Sequence, residues 1–347
     1  MKQLTPRIEI EGRPTDFITG AYTSTGGLTA ATLQFTLPLV SDGYRKLWNK
    51  EVTFFIGEST VIFRGYIKRV KENFDAIEVF AQDVIGYMVL GGNPEKAKIA
   101  LTDTDNLDGL TAGAAIQKAI QKAQLSSKIG TDMIGDTSPL ISSSRPPLRG
   151  TLSVKDIIKR LVSRAVDNNG DIPLANIVRV VDDGSTSQLI IELDKSIDST
   201  PVHVFTEDTN ITDLKIISRK IPTIVIVNGL NKVKGTFVHE SAMEANDRNY
   251  LEVKNENLKS PAECKDFAAK IFRANIETQY EYGLDTFEGI TLVENDIIRI
   301  DTEDELFAGN YRVRGKKIAF SKSSFTIGLN INRKPPTLAE YIIQQDN

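Results

Sequence analysis

Residue types that carry catalysis are scarce in this sequence, which contains two histidines and one cysteine. His203 in "PVHVF" and His239 in "FVHES" each lie in a strand-like segment. A serine–histidine mechanism needs an orienting third group and a nucleophile elbow, and the sequence has no G-x-S-x-G motif. We therefore interpret both histidines as surface or structural residues. Cys264 lies on the apolar face of a helix predicted at 260–277, which indicates a core residue rather than a nucleophile.

Two acidic segments could hold a metal ion or a pair of catalytic carboxylates. The segment "DTDNLDG" (103–109) resembles a calcium loop, but Leu107 occupies the fifth position and Ala114 stands where a bidentate Glu is needed. The segment "DTEDE" (301–305) could supply carboxylates for glycoside hydrolysis, which requires a separation of roughly 5–10 Å. Its place between two predicted hairpin strands favours a solvated turn. With no Walker loop and no G-x-G-x-x-G present, we predict no catalytic, metal or cofactor residues and no enzyme.

The composition is that of an ordinary globular protein, with 40% hydrophobic and 25% charged residues. A length of 347 residues predicts two or three domains. The 42 basic and 46 acidic residues give a net charge of -4, without the basic excess typical of a dedicated DNA-binding surface. One cysteine excludes an internal disulfide. No apolar run reaches the roughly 18 residues of a membrane span, and no secretory signal is visible, so we expect folding in a cytosol.

The first part of the chain is predicted to consist of β-strands, which would have to position any functional site there. Period-two alternation of apolar and polar residues over the first 83 residues predicts sheets with one buried face. The predicted strands are 7–12, 33–37, 52–56, 61–70 ("VIFRGYIKRV") and 74–82. Five short strands without an intervening helix favour a barrel or a sandwich.

The middle of the chain has a mixed helical and strand pattern. Helices are predicted at 111–125 and at 153–170, the second with Ser153 as its N-cap. Between them, the polar stretch 126–150 has the length of a functional loop, and we consider it a candidate partner contact. Two apolar strands flank the turn segment 182–188, which predicts a hairpin. This pattern therefore predicts a second domain of mixed α and β structure.

The last third contains the helix with the clearest local signals. Ser260 takes the N-cap position, Pro261 the first helical position, and Glu263 completes a capping box. Before this helix, the nearly all-apolar segment 223–229 predicts a strand buried on both faces.

A pattern from the beginning of the chain returns near its end. The order strand, turn, strand, turn, strand of 52–82 recurs at 295–332, which indicates an internal duplication. A Phe-x-Gly pair marks the middle strand in each copy, namely Phe63 with Gly65 and Phe307 with Gly309. Glycine within a strand permits a bulge or a close backbone approach, which helps a sheet to bend.

These residues resemble a known family. The segments "RIEIEGRPTDFITGAYT", "FFIGESTVIFRGYIKRV" and "VFAQDVIGYMVLGG", the last with Asp83, Tyr87 and Leu90, are similar to the start of phage tail hub proteins. That group includes late control protein D of temperate phages and the hubs of contractile injection machines. The end, "NDIIRIDTEDELFAGNYRVRGKKIAFSKSSFTIGLNI", resembles the second barrel of the same family. The likeness covers the first 90 and roughly the last 125 residues.

The resemblance implies an α+β, β-rich fold with two tail-tube-like antiparallel β-barrel modules and an inserted mixed α/β region. The implied domains are a first barrel at 1–90, a mixed α/β domain at 91–205, a second barrel at 206–232 and 280–334, an insertion with the capped helix at 233–279, and a C-terminal tail at 335–347.

The resemblance also implies a structural function. Hubs of this kind are homotrimers, so two modules per chain give a pseudo-sixfold ring that adapts the tail tube to a threefold central spike and surrounds the DNA channel. The implied partners are a tail tube or distal tube protein, the spike, and the tape measure and baseplate wedge proteins. DNA passes without specific binding, and the location is the virion tail baseplate, assembled in the host cytoplasm. No cofactor or catalytic residue is implied.

Two further points stay open at the level of the sequence. After Pro335 and Pro336 a short amphipathic helix is predicted, and Leu338, Tyr341 and Ile342 contact either a partner or the chain itself. Two other functions remain alternatives to the hub: a tail-associated peptidoglycan hydrolase and a β-rich receptor-binding module.

Overall fold

β-Strands make up most of the regular structure. The computed structural model describes residues 4–25, 29–39, 46–86, 98–101, 110–131, 134, 140–141, 150–162, 165–166, 176–182, 187–193, 195–218, 222–240, 248–255, 258–277, 280–304 and 307–332. The strands of this part of the chain are β1 (Pro6–Ile10), β2 (Arg13–Thr15), β3 (Thr19–Ser24), β4 (Thr32–Pro38), β5 (Glu51–Ile56), β6 (Thr60–Glu72), β7 (Ala76–Gln82), β8 (Lys98–Leu101), β9 (Leu140–Ile141), β10 (Gly150–Ser153), β11 (Ala165–Val166), β12 (Asn176–Asp182), β13 (Ser187–Leu193), β14 (His203–Thr206), β15 (Ile211–Ser218), β16 (Ile224–Asn228), β17 (Lys234–Val238), β18 (Tyr250–Lys254), β19 (Tyr280–Thr286), β20 (Ile297–Asp301), β21 (Gly309–Ser321) and β22 (Phe325–Asn332). The α-helices of the same part are α1 (Ala112–Lys122), α2 (Val154–Val162), α3 (Glu207–Asn210) and α4 (Pro261–Glu277).

The described residues fall into two compact units. Those within Met1–Ser196, Thr286–Asp296 and Arg314–Leu329 form unit 1. Those within Ile197–Asp285, Ile297–Val313 and Asn330–Asn347 form unit 2. The predicted β-rich α+β class is confirmed by the large antiparallel sheet and by the few helices.

In unit 1 the second half of β21 begins a sheet in the order β21-β3-β4-β7-β6-β5-β1-β2. All of these neighbours are antiparallel. In β1, β4 and β7 buried residues alternate with more exposed ones, as Leu33, Phe35 and Leu37 of β4 show. The five strands predicted from the first 83 residues are therefore present, with β2 and β3 in addition.

Aromatic contacts show that this sheet curls. Phe54 of β5 stacks on Phe320 of β21 at a centroid distance of 4.2 Å. Four strands, β3, β4, β7 and β6, separate β5 from β21 in the sheet order. Ring contact between such distant strands requires the sheet to wrap around a common core.

The middle strand β6 is bent at two places. Its pairing with β5 shifts register between Phe54 and Phe55, and its pairing with β7 shifts between Ile67 and Arg69. Because each shift leaves an extra residue on β6, the ladder is interrupted and the strand bends. β6 pairs with β5 through Thr60–Tyr66 and with β7 through Tyr66–Glu72, so it connects two parts of the curled sheet.

The insertion between β7 and β14 also belongs to unit 1 up to residue 196. Its helices α1 and α2 bury Ile116, Ile120, Ile157 and Leu161 in one apolar cluster. Both helices have N-terminal caps, because the hydroxyl of Thr111 accepts from the Ala114 N–H at 3.2 Å and the hydroxyl of Ser153 accepts from the Asp156 N–H at 3.1 Å. The hairpin predicted around 182–188 is present as β12 paired with β13.

Two predictions for the insertion were wrong in part. The helix predicted at 153–170 is shorter, because Ala165–Val166 pairs as β11 with Leu140–Ile141. The stretch 126–150 is not one continuous loop, because Gly130 bridges Gln188 and residues 140–141 form β9. In both places a long-range strand pairing overrides the local pattern. The calcium-like segment 103–109 lies outside the described residues.

In unit 2, β14 pairs in parallel with β20, and β20 pairs with the first half of β21. A separate three-stranded sheet has the order β17-β16-β18, and α4 packs on it through an apolar cluster that contains Cys264 and Phe272. The predicted capping box is present: the Ser260 hydroxyl accepts from the Glu263 N–H, and the Glu263 carboxylate accepts from the Ser260 N–H, both at 3.2 Å. Within the described residues, no helix is long and apolar enough to span a membrane.

Candidate functional site

The first Phe-x-Gly pair lies at a close approach between strands. Phe63 is buried and meets Tyr22 edge to face at 6.0 Å. A Cβ on Gly65 would lie 2.3 Å from the Gln82 carbonyl oxygen and 2.5 Å from the Phe63 ring. Gly65 therefore leaves room both for β7 and for the ring two residues earlier on the same face.

The second pair occupies a different position in its hairpin. Phe307 precedes β21, is half-buried, and contacts Tyr282 edge to face at 6.4 Å. Gly309 is the first residue of β21 and has a φ of 133°, which favours glycine. The Phe307 carbonyl oxygen accepts from the Tyr311 hydroxyl at 2.7 Å. Glycine is therefore needed at 309 for the backbone conformation of the turn, and at 65 for the close approach of neighbouring atoms.

Several residues singled out from the sequence lie outside the described part of the chain. Tyr87 and Leu90 of the motif that begins at Asp83 are among them. The proposed contact residues of the tail, Leu338, Tyr341 and Ile342, are also outside it.

The histidines and the cysteine have structural environments. Cys264 is fully buried in the cluster beneath α4. His239 stacks on Phe272 at 4.8 Å, and burial lowers its pKa. His203 packs against Phe205 within β14 at 4.4 Å. These placements agree with the interpretation of all three as structural residues.

The acidic segment predicted at 301–305 is described up to Asp304. Asp301 ends β20 and pairs with Arg299 at 2.6 Å. Asp304 is exposed and accepts from the Phe307 N–H through its backbone oxygen at 2.9 Å. No cluster of three or more potential metal-ligating side chains occurs among the residues that the structure describes. Asp301 is thus engaged in an ion pair, and Asp304 lies at a turn.

A cavity of about 200 Å³ with a mixed polar and apolar lining lies within unit 1. Its ionisable and hydroxyl side chains include those of Tyr22, Ser24, Asp83, Ser187, Glu294 and Lys316. β3, β13, β21 and the segments at 83 and 294 supply these residues. Five of these six residues, all except Glu294, are buried.

Asp83 follows directly after β7 and binds backbone on two sides. One carboxylate oxygen accepts from the Ala31 N–H at 3.1 Å, and the other accepts from the Ile85 N–H at 2.9 Å. Burial raises the pKa of Asp83 to about 7, the charge of Glu294 adds to this, and hydrogen bonds from the backbone N–H groups oppose it. Asp83 therefore joins the start of β4 to the chain that leaves β7.

Lys316 reaches the same cavity from β21. Its ammonium donates to the backbone oxygens of Ile290 at 2.8 Å and Leu292 at 2.7 Å. Burial lowers the pKa of Lys316 to about 8, while Glu294 and Asp296 act in the opposite direction. Burial also raises the pKa of the Tyr22 hydroxyl, so that this group stays neutral at physiological pH.

Arg64 of β6, which also lines the cavity, forms an ion pair with Asp182 at the end of β12. Arg64 also pairs with Glu51 of β5 at 2.9 Å. The guanidinium thus joins the insertion to the strands of the sheet within unit 1. The buried groups of the cavity bond mainly to backbone, which is the arrangement of a structural polar core rather than of a nucleophile with its base.

Sequence analysis missed Lys316 and Glu294. A signal was available for Lys316, because the even-numbered residues of this part of β21, Ile318 and Phe320, are buried. The odd-numbered Lys317 and Ala319 are exposed. Because lysine is charged, we expected its side chain to face solvent and did not apply this alternation to it. For Glu294, which lies in an irregular segment between β19 and β20, no periodic pattern exists.

The comparisons with known proteins identify the fold. No family model and no curated protein matches the chain. A solved tail protein from Neisseria meningitidis MC58 matches with a TM-score of 0.68 and 11% identity, covering 96% of this chain and 97% of that one. The 43 kDa tail protein of prophage MuSo2 from Shewanella oneidensis matches with a TM-score of 0.65 and 9% identity, covering 95% and 97%.

A third structure extends the likeness beyond phages. It is an E. coli component of the type VI secretion system, described as structurally similar to the T4 bacteriophage tail proteins gp27 and gp5. Its TM-score is 0.53 at 11% identity, covering 93% of this chain and 76% of that one. The chain therefore has the fold of phage tail proteins over nearly its whole length. The resemblance found in the sequence is confirmed at the level of the fold.

Proposed function

We propose that the protein is the structural hub of a phage tail baseplate. The observation that carries this proposal is the shared fold with two tail proteins over at least 95% of the chain. A likeness that extends over nearly the whole length of both partners supports a common type of function more than a match to one module does. The proposed location is the virion tail, after assembly in the host cytoplasm.

The proposed architecture has two tail-tube-like barrels in each chain. The curled sheet of unit 1, in which Phe54 stacks on Phe320, supports the first barrel, to which the second half of β21 adds a strand from outside residues 1–90. For the second, β20, β21 and β22 repeat the neighbour order of β5, β6 and β7, and the middle strand has 13 residues in each set. The proposed domains are those of the sequence analysis: 1–90, 91–205, 206–232 with 280–334, 233–279 and 335–347.

Three chains with two such modules each give six similar units around one channel. A closed ring pairs or covers the open edges of its sheets, which reduces unwanted strand pairing. It also provides the adaptor between a sixfold tube and a threefold spike. A net charge of -4 opposes adhesion of DNA phosphates to the channel, so that DNA passes without specific binding.

The proposed partners are a tail tube or distal tube protein and a central spike protein, with tape measure and wedge proteins further out. The tail residues Leu338, Tyr341 and Ile342 are proposed contacts with one of these partners.

Light scattering and electron microscopy test the hub directly. The purified chain, alone or with its tube and spike partners, should have the mass of a trimer, about 115 kDa for three chains of 38.4 kDa. Images of the assembled tail should show a threefold ring at the tip of the tube. A chain that stays monomeric in the presence of both partners contradicts the proposal.

The hydrolase and receptor-binding alternatives have separate tests. A murein zymogram should show no clearing by the purified protein, and clearing that disappears on substitution of Asp301 and Asp304 would establish the hydrolase instead. Binding of the isolated protein to host cells would favour the receptor-binding module.

A further inference from the structure

A three-stranded sheet in unit 2 has two edges in the part of the chain that the structure describes. β16 is the central strand, and β17 and β18 pair with it on opposite sides. Because β17 runs antiparallel to β16 and β18 runs parallel to it, the two edge strands run in opposite directions. An edge strand presents backbone N–H and carbonyl groups with which a further strand can pair.

The hydrogen bonds to β16 show which backbone groups of β17 point outward. The His239 N–H donates to the Thr223 carbonyl at 3.0 Å, so the odd-numbered residues of β17 bond to β16. The backbone groups of the even-numbered residues therefore point away from the sheet. These residues are Lys234, Thr236 and Val238, and all three are exposed.

The same reasoning applies to β18. The Asn249 carbonyl accepts from the Ile224 N–H at 3.1 Å, so the odd-numbered residues of this strand bond to β16. The backbone groups of Tyr250 and Glu252 point outward, and both residues are exposed. The outward residues of both edges have their side chains on one face of the sheet, opposite the face that α4 covers.

The helix α4 lies over the β17 side of the sheet. A Cβ on Gly235 of β17 would stand 2.3 Å from a backbone nitrogen of α4, and the Phe237 ring lies 5.1 Å from that of Phe272. On the same face, Leu251 and Val253 of β18 are only partly buried. The apolar residues next to the β18 edge are therefore less completely covered than the centre of the sheet.

We propose that β17 of one copy pairs antiparallel with β18 of the next copy, with Lys234 opposite Glu252 and Thr236 opposite Tyr250, so that three copies form one continuous ring of sheet. The inference rests on the proposed trimer, in which each contact joins two different surfaces of neighbouring copies. With the strands aligned along the ring axis, every copy keeps its orientation. β17 then meets a β18 edge that runs in the opposite direction.

Charge complementarity favours this register and a second copy as the partner. Lys234 and Glu252 carry opposite charges, and oppositely charged residues directly across two strands stabilise the pairing. A register shifted by two residues sets Lys234 opposite Lys254, which is repulsive. Two β17 strands paired around Thr236 set Lys234 opposite Val238, without a pair of opposite charges.

The proposed pairing also covers the apolar residues of β18. Adjacent strands lie about 4.8 Å apart, and a helix with its side chains is about 10 Å wide. A β18 strand added beside β17 therefore lies within reach of α4 of the neighbouring copy. Leu251 and Val253 become more fully buried beneath that helix, which adds apolar contact to the backbone hydrogen bonds.

Engineered disulfides in the full chain test the contact. In the variant that carries Thr236→Cys and Tyr250→Cys, the two Cα atoms of adjacent copies stand about 5.5 Å apart, which suits a disulfide. Within one chain, β16 separates the two strands by about 9–10 Å, which is too far for a disulfide. Mild oxidation should therefore give covalent trimers on a non-reducing gel, and each single variant should remain uncrosslinked.

Light scattering distinguishes a failure of this contact from a failure of the hub. A double variant that has the mass of a trimer but forms no disulfide overturns the contact and leaves the hub in place. A wild-type chain that is monomeric alone and with its tube and spike partners contradicts both. Crosslinked dimers of Thr236→Cys alone overturn the contact, because they place two β17 strands side by side. Preferential crosslinking of Val238→Cys with Tyr250→Cys, which belongs to the shifted register, overturns it as well.

Charge exchange gives a second test, which decides where the cysteine pair prevents trimer formation. Lys234→Glu and Glu252→Lys should each raise the concentration at which the trimer dissociates roughly tenfold, because like charges then face each other. The two substitutions together should restore most of the association. Lys270→Glu, on the exposed side of α4, is the matched control and should leave association unchanged. Unchanged association in both single variants, or no recovery in the combined variant, overturns the proposed pairing.

Discussion

The ring of Phe320 holds the curled sheet of unit 1 together, and its removal makes the strongest prediction for stability. Phe320 stacks on Phe54 at 4.2 Å and meets Phe17 edge to face at 5.5 Å. It lies over Gly20, where a Cβ would stand 2.3 Å from the ring. One buried side chain thus joins β21, β5 and the start of β3.

Phe320→Ala should lower the free energy of unfolding of unit 1 by about 4 kcal/mol. Truncation of a buried Phe to Ala costs about 3–5 kcal/mol, through lost burial and the cavity that remains. The two aromatic contacts account for about 1–2 kcal/mol of this. Since Gly20 has no side chain to move into the space, collapse around the cavity is limited, and a value in the middle of the range is expected.

Urea unfolding, monitored by circular dichroism, measures this change, and hydrogen exchange shows whether the loss is concentrated in β3, β5 and β21. Phe74→Ala is the matched control, because Phe74 is 100% exposed in the β6–β7 turn. The control should change stability by less than about 0.5 kcal/mol. If Phe320→Ala costs less than about 1 kcal/mol, or no more than the control, the sheet does not depend on this ring and the curled core is misassigned.

Three further predictions concern single residues. Burial lowers the pKa of His239 and so favours the neutral imidazole, and the stability that this residue contributes should be lost as the pH falls below 6.5, the ordinary pKa of histidine. Hydrogen exchange of the α4 amides at pH 7.5 and 5.5 measures this loss, and His239→Phe should remove the difference between the two pH values. Ser260→Ala should destabilise unit 2 by about 1 kcal/mol in urea unfolding, and no change would argue against the cap. Gly65→Ala should lower the free energy of unfolding of unit 1 by more than about 2 kcal/mol, because the new Cβ would stand 2.3 Å from the Gln82 carbonyl oxygen. A melting temperature equal to that of the wild type would show that β6 and β7 separate easily at this position.

How well the sequence predicted the fold depended on whether the deciding contacts were local. The capping box of α4 was predicted in full because Ser260 and Glu263 interact within one helical turn. The end of α2 was not, because residues 165–166 pair with β9, about 25 residues earlier in the chain. Local periodicity carries no information about such a partner.

The candidate site shows the same limit. The two Phe-x-Gly pairs match in residue type and spacing. In the structure, however, Gly65 lies within a strand and Gly309 at the start of one. The position of a short motif within a hairpin depends on register, which neighbouring strands determine. Lys316 alternates in β21 like a buried residue, and its environment became visible only with the Ile290 and Leu292 carbonyls to which it donates.

The bulge at Lys68 changes which residues of β6 face the core, from odd-numbered before it to even-numbered after it. Before it, the buried residues are the odd-numbered Phe63, Gly65 and Ile67; after it, Arg69 is exposed and Val70 faces the partly buried side opposite Val79. Deletion of Lys68 alone would leave Arg69 opposite Phe80 and Val70 opposite Val79, so later residues would keep their faces and only the bulge, with the bend it produces in β6, would be lost; one further residue at this position would exchange the faces of the residues that follow. Homologous chains should accept insertions in the β6–β7 turn far more readily than at this position.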